Sequence, residues 1–299
     1  MGRIERLDVL DAPGYQLEHG LALSFLLTGP ASRRLQDLLH GVWLGHPLHP
    51  VLVTVPVGAW TAALLLDGLA VRGRPTDEAA TAVVALGVAG AAASAATGLT
   101  DWQHSHDGAR RVGLVHAGLN TVALGLYASS LTDRLRGRPG RARASATAGW
   151  VLTAASSYLG GTLSYRHLLG TDHADRSAEP RTFTPVADLT DLPEGEPVGV
   201  RAAGVSAVVL RDGEQVRAVG AACPHMGAPM AEGWLHRGDL VCPWHGSRFD
   251  VSTGATTQGP STAPLPCFDV RVRSGRVELR RRAEWRSPTA LTTEREASR

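Results

Sequence analysis

The residues best suited to chemistry lie in the C-terminal half of the chain. Cys223-Pro224-His225 is followed, after sixteen residues, by Cys242-Pro243-Trp244-His245. Two thiolates and two imidazoles can hold a tetrahedral zinc ion. Zinc fingers, however, usually place two Cys on one loop and two His on the other. Here each loop carries one of each, which suits a two-iron cluster: each loop sends its Cys to one iron and its His to the other. A bare zinc module is the alternative reading of the same four residues.

The two segments, CPHMGAPM and CPWHGSRFDVSTG, closely resemble the cluster-binding loops of Rieske [2Fe–2S] proteins, and the later GPSTAPLP resembles the proline loop that shields the cluster. The resemblance runs over residues 183–281 and implies an all-β antiparallel sandwich carrying one [2Fe–2S] cluster. By this resemblance Cys223 and Cys242 bind the buried iron, while His225 and His245 bind the outer iron with their ring edges toward solvent. Ser247 stands where the family directs a hydroxyl at a bridging sulfide. The clamping disulfide of cytochrome bc-type members is excluded, since Ala228 and Trp244 occupy its positions. Phe249 replaces the Tyr that hydrogen-bonds a cluster Cys in high-potential members. Fewer hydrogen bonds to sulfur place the expected potential in the lower part of the range from about −150 to +300 mV. Cys267, at the end of the proline loop, reads as a small buried filler.

Such a module must be positioned, and the preceding chain is of a different kind. Four segments approach the length and apolarity of a membrane span: Val51–Ala70, Thr81–Leu99, Val112–Leu131 and Thr147–Tyr165. They are apolar all round, unlike the helices of a soluble bundle. Small residues recur every fourth position, as at Gly90, Ser94 and Gly98, so helices can pack closely in lipid. Pro56 is expected to kink the first span. The sequence therefore predicts a multidomain chain: an N-terminal segment over 1–40, a four-helix transmembrane domain over 41–170, a solvated linker over 171–182, the Rieske domain over 183–281 and a polar tail over 282–299. HPLHP, TGLTDW, the His116/Asn120 pair and LGGTLSYR resemble an uncharacterised bacterial four-helix membrane family found fused to Rieske modules. The resemblance implies a multi-pass protein of the bacterial cell membrane.

With four spans both termini lie on one side. Arginines near the span ends balance across the two sides, so the side itself stays open. His46, His49, Asp101, His104, His106, His116 and Asn120 all fall at the terminal face. Interfacial capping is the plain reading of these residues. A quinone- or proton-handling site, or a haem b ligated by His49 and His116, is the chemical one.

The net charge of +2 is small and the basic residues are scattered, so nucleic-acid binding has no support. After Arg281 only 18 residues remain, too few for the catalytic iron domain of a Rieske oxygenase. The expected function is single-electron transfer between a membrane partner in the lipid bilayer, such as a quinone, and a donor or acceptor protein. A sensor or structural membrane protein without turnover is the competing class.

Overall fold

A computed structural model describes residues 2–177, 180–202 and 204–282. The polar tail expected beyond residue 282 lies outside the described residues. The chain divides into two units, and the division does not follow chain order. Residues 1–32 and 48–169 form a helical unit, while residues 33–47 join residues 170–299 in a second, β-rich unit.

The helical unit contains α1 (Asp11–Leu27), and part of the short α2 (Ser32–His40) begins at its edge. Then come α3 (His49–Leu52), α4 (Thr54–Val71), α5 (Asp77–Trp102), α6 (Asp107–Leu135) and α7 (Pro139–Tyr165). The interruption at Val53 has its cause in Pro56, which cannot donate to the carbonyl of Leu52. Three stretches, His49–Val71, Asp77–Trp102 and Asp107–Leu135, are long and apolar enough to cross a membrane, and only 28%, 22% and 22% of them is buried within the protein. An apolar exterior of this extent belongs in lipid rather than water. The fourth expected span forms a helix of sufficient length in α7. It falls short in apolarity because Ser, Thr and Gly residues recur through Thr147–Tyr165.

The helical unit is internally duplicated. His49, Trp60 and Asp67 stand 67 residues before His116, Tyr127 and Arg134, and Gly87, Ser94 and Gly98 stand 62 residues before Gly149, Ser156 and Gly160. Equivalent residues meet one another. The Trp60 and Tyr127 rings stack at 3.8 Å with an interplanar angle of 8°. Asp67 and Arg134 form a buried ion pair at 2.5 Å. A residue touches its own counterpart only near a two-fold axis, so the α4–α5 and α6–α7 hairpins are related by a pseudo-dyad. Each half also repeats a steric detail: a side chain at Gly87 would strike Trp60, and one at Gly149 would strike Tyr127.

The β-rich unit builds two antiparallel sheets. The six-stranded sheet has the order β1-β10-β9-β4-β3-β2, from β1 (Thr184–Asp188), β2 (Pro197–Ala202), β3 (Val205–Asp212), β4 (Gln215–Gly220), β9 (Cys267–Arg273) and β10 (Arg276–Arg281). The four-stranded sheet runs β5-β6-β7-β8, from β5 (Trp234–His236), β6 (Asp239–Val241), β7 (Arg248–Asp250) and β8 (Thr256–Gln258). Strand β3 is apolar on both faces because it is buried on both. Val208 and Leu210 pack toward Leu240, Phe249 and the two site cysteines, while Ala207 and Val209 face Leu192, Phe268, Val277 and Leu279. Ser274-Gly275 turns the β9–β10 hairpin, both residues having positive φ. Gly213-Glu214 turns the β3–β4 hairpin, since Asp212 pairs with Gln215.

Residues 171–182 were expected as a solvated linker, yet their described part runs along the β unit. His173 N–H donates to Pro224 O (2.9 Å), and Arg176 Nη2 donates to Pro264 O (2.7 Å).

The tight seat of Trp60 yields a direct check. Gly87→Val should lower the stability of the helical unit by about 1–3 kcal/mol, as overpacking does. Gly125→Ala, at a helical position with open space around it, should be neutral or slightly stabilising. Thermal unfolding in detergent micelles measures both.

Candidate metal centre

Two loops of the same construction carry the four candidate ligands. In the first, Gly227 N–H donates to Cys223 O (2.8 Å) and Cys223 N–H donates to Ala228 O (2.9 Å). In the second, Gly246 N–H donates to Cys242 O (3.2 Å) and Cys242 N–H donates to Ser247 O (2.8 Å). Each turn needs a left-handed residue at its fourth step, supplied by Gly227 (φ +75°) and Gly246 (φ +73°). The chain reverses tightly enough in each loop to present a Cys and the His two or three residues later from one end of the unit.

Both cysteine side chains are buried in the core shared by the two sheets, beside Phe249, Met230 and Leu240. The thiol of Cys223 donates to the Cys242 sulfur, which pushes Cys242 down despite burial. Backbone N–H groups of Trp244 and His245 point at the same sulfur and add to the effect. The same contact, with burial, pushes Cys223 up. The backbone N–H groups of His225 and Met226 point at its sulfur. Each sulfur thus sits in a nest of backbone donors, an environment made for negative charge.

The imidazoles lie further out. His225 Nδ1 and His245 Nδ1 face each other at 3.2 Å, with the rings edge to face at 5.0 Å between centroids. With both δ nitrogens turned inward, the ε nitrogens take the outer ring edges. Trp244, 53% exposed, stands beside His245. The donors come as a buried thiol pair and an imidazole pair further out, one of each from each loop, a set that fits a two-iron cluster.

The surroundings of the loops follow the sequence expectations at some positions and add others. Ser247 is fully buried, and its Oγ accepts from the N–H of Ser261 (2.9 Å), which ties the proline loop to the second ligand loop. Phe249 is fully buried among the site residues. Cys267 is half-buried, and burial pushes its thiol up, in keeping with a protonated packing residue. No motif points to Asp37, whose carboxylate accepts from the N–H of Gly259 (2.8 Å) in the proline loop. Nothing in the spacing of residues 33–47 links them to a loop more than two hundred positions away.

The seven residues of the terminal face are distributed over several elements. His46 belongs to the β-rich unit, where it is exposed and its Nδ1 lies 3.1 Å from Pro47 O. Asp101 is in the last turn of α5, and His104 and His106 lie between α5 and α6. His49 and His116 are set alike in the two halves of the helical unit. His49 Nδ1 donates to Ser94 O (2.9 Å) and His116 Nδ1 donates to Ser156 O (2.9 Å). A side chain at Gly98 would strike the His49 ring, and one at Gly160 would crowd His116. Asn120 Nδ2 lies 3.1 Å from His116 Nε2.

Comparison with known proteins agrees with both halves of this description. The model of the Rieske [2Fe-2S] domain matches residues 182–269, and that of a "Predicted membrane protein (DUF2231)" family matches residues 45–173. The ferredoxin component of the naphthalene 1,2-dioxygenase/salicylate 5-hydroxylase systems of a Ralstonia species is 34% identical over 94 residues, which are 31% of this chain and 90% of the relative. Human apoptosis-inducing factor 3 is 33% identical over 112 residues, 38% of this chain, but the chain spans only 18% of that relative's length. Among solved structures, the ferredoxin of carbazole 1,9a-dioxygenase from Nocardioides aromaticivorans is 34% identical, with 34% of this chain and 99% of that one covered and a TM-score of 0.33. Paired Cys-His loops, a two-sheet β unit and near-complete coverage of a ferredoxin relative make this chain a member of the Rieske [2Fe–2S] family, joined to a helical domain of the DUF2231 membrane-protein family.

Proposed function

We propose that this chain is a membrane-anchored Rieske electron carrier, passing single electrons between a membrane partner and a protein that docks beside His225, Trp244 and His245. The observation that carries it is the paired arrangement of the ligand side chains, thiols inward and imidazoles outward. In this reading Cys223, Cys242, His225 and His245 hold one [2Fe–2S] cluster, which supplies a one-electron couple. The chain's own groups do the rest. Backbone N–H groups at the two sulfurs stabilise negative charge, and the buried apolar packing around Phe249 keeps water from them. The outward Nε2 of each imidazole can hold or release a proton, so electron transfer couples to pH. Exposed Trp244 offers a flat apolar face for docking next to the electron's exit. The ferredoxin relatives serve, by their names, dioxygenase systems; a docking oxygenase-like or reductase-like protein is the partner class this supports.

The helical unit acts as the anchor, with α4 to α7 as four spans and both termini on one side of a bacterial membrane. His49 and His116 support a second role within it. Trp and Tyr have diverged between the two halves, as have Asp and Arg, whereas the imidazole, its Ser carbonyl partner and its Gly seat are the same in both. A backbone carbonyl at Nδ1 fixes the tautomer that leaves a lone pair on Nε2, as in metal-ligating histidines. His49 is thereby suited to accept a proton from a quinol or to ligate a haem iron, whereas at His116 the same lone pair faces Asn120 Nδ2 at 3.1 Å and is free for either role only once that contact is given up.

Anaerobically purified protein should show a reduced EPR spectrum with the low average g of a His-ligated [2Fe–2S] centre, and His225→Ala or His245→Ala should abolish it. A zinc-loaded, EPR-silent protein refutes the reading. Replacing Phe249 by Tyr should raise the midpoint potential, by roughly 40 mV if one hydrogen bond of about 1 kcal/mol to a cluster sulfur is gained. On the membrane side, quinol should reduce the cluster in wild type and much more slowly in His49→Ala or His116→Ala. A Soret band in wild type that either variant removes would assign the pair to haem instead, and a sensor without turnover would show neither response.

A further inference from the structure

Residues 33–47 lie before the membrane helices in the chain but fold onto the proline loop of the β unit. Three contacts carry the attachment. The Asp37 carboxylate accepts from Gly259 N–H at 2.8 Å, and Arg33 Nη1 donates to Gln258 Oε1 at 3.2 Å. Val42 fills the space a side chain on Gly259 would need, its Cγ2 lying 2.8 Å from that position, with the His40 ring next to it at 3.7 Å. His40 is 2% exposed, so the segment is packed in place. Asp37 is half-buried there, and burial pushes its carboxyl above the ordinary value even though the Gly259 N–H opposes this, as do the charges of His40 and Arg33.

The contacts continue inward. Two residues past Gly259, the N–H of Ser261 donates to Ser247 Oγ (2.9 Å), and Ser247 O accepts from Cys242 N–H (2.8 Å). A short path of hydrogen-bonded backbone thus joins Asp37 to a ligand loop.

We propose that Asp37 is a positioning residue for the metal centre: through Gly259 it holds the proline loop closed over the ligand loops, and its charge lowers the potential of the group they bind. The proposal rests on the electron-carrier reading above, and the family resemblance does not include it, because the strap comes from outside the residues that match the Rieske domain. Gly259 is then glycine because the strap occupies its side-chain space.

The test uses the full-length protein in detergent, with Asp37→Ala, Asp37→Asn and Gly259→Val. Release of iron to a chelator is followed by loss of visible absorbance, and the midpoint potential is measured by titration. Losing a charge-assisted hydrogen bond should make Asp37→Ala release iron about tenfold faster than wild type. Gly259→Val, which pushes the strap away from the other side, should do the same. Asp37→Asn retains an acceptor for Gly259 N–H and should restore most of the retention, yet its potential should rise because the negative charge is gone. An unchanged release rate in Asp37→Ala, or an unchanged potential in Asp37→Asn, overturns the proposal. A wild-type protein with no Rieske spectrum would instead refute the electron-carrier reading, so the two failures are told apart. An unaltered β-sheet signal in the circular dichroism of each variant shows that the β-rich unit has kept its fold.

Discussion

The hydrogen bond from each ligand cysteine's own N–H to the residue five positions on is the constraint around which the β unit is organised. It closes both loops in the same way, Cys223 to Ala228 and Cys242 to Ser247. Closure turns the neighbouring N–H groups toward sulfur and leaves room for an imidazole to reach the surface. The two sheets then have one task, to hold the loops against each other. Strand β3 contributes to both cores, so a shift in its register would move Val208 and Leu210 away from the cysteines and place them in the other core.

The helical unit answers a different physical demand. In lipid the solvent offers no hydrophobic incentive for helices to associate, so shape and polar pairing must do it. Both devices are concentrated on the pseudo-dyad. Trp60 lies flat on Tyr127 with glycines opposite each ring, and Asp67 neutralises Arg134 where neither could remain unpaired. Breaking such a pair by removing one partner strands a buried charge, which costs far more than the pair itself contributes.

Much of this could be read from the residues alone. The Cys-His spacing marked out two loops for attention, and the structure closes both with the same pair of backbone hydrogen bonds. The apolar runs announced the helices, since length and composition decide membrane insertion almost by themselves. What escaped reading was long-range. Asp37 and Gly259 carry no shared pattern, and an Asp followed by two Leu in an amphipathic stretch looks like any helix surface. The duplication was present in the equal spacing of His49 from Trp60 and His116 from Tyr127, but the two copies differ at most other positions. Only their mutual contact makes the correspondence evident. Nor does the composition of 171–182 tell that Arg176, though exposed, reaches a buried carbonyl at Pro264.

In chain order the helical unit is an insertion within the β unit, and this bears on how the protein is made. Residues 33–47 leave the ribosome before the apolar helices α4 to α7, while the loop they contact is synthesised some two hundred residues later. The strap must therefore wait, unpartnered, through the whole of membrane insertion. Closing so long an intervening segment costs little more than closing a short one, because loop entropy grows only with the logarithm of length. Order of synthesis sets a stricter requirement than energy does. The strap and the sheets have to finish on the same side of the bilayer, which an even number of crossings satisfies and an odd number does not.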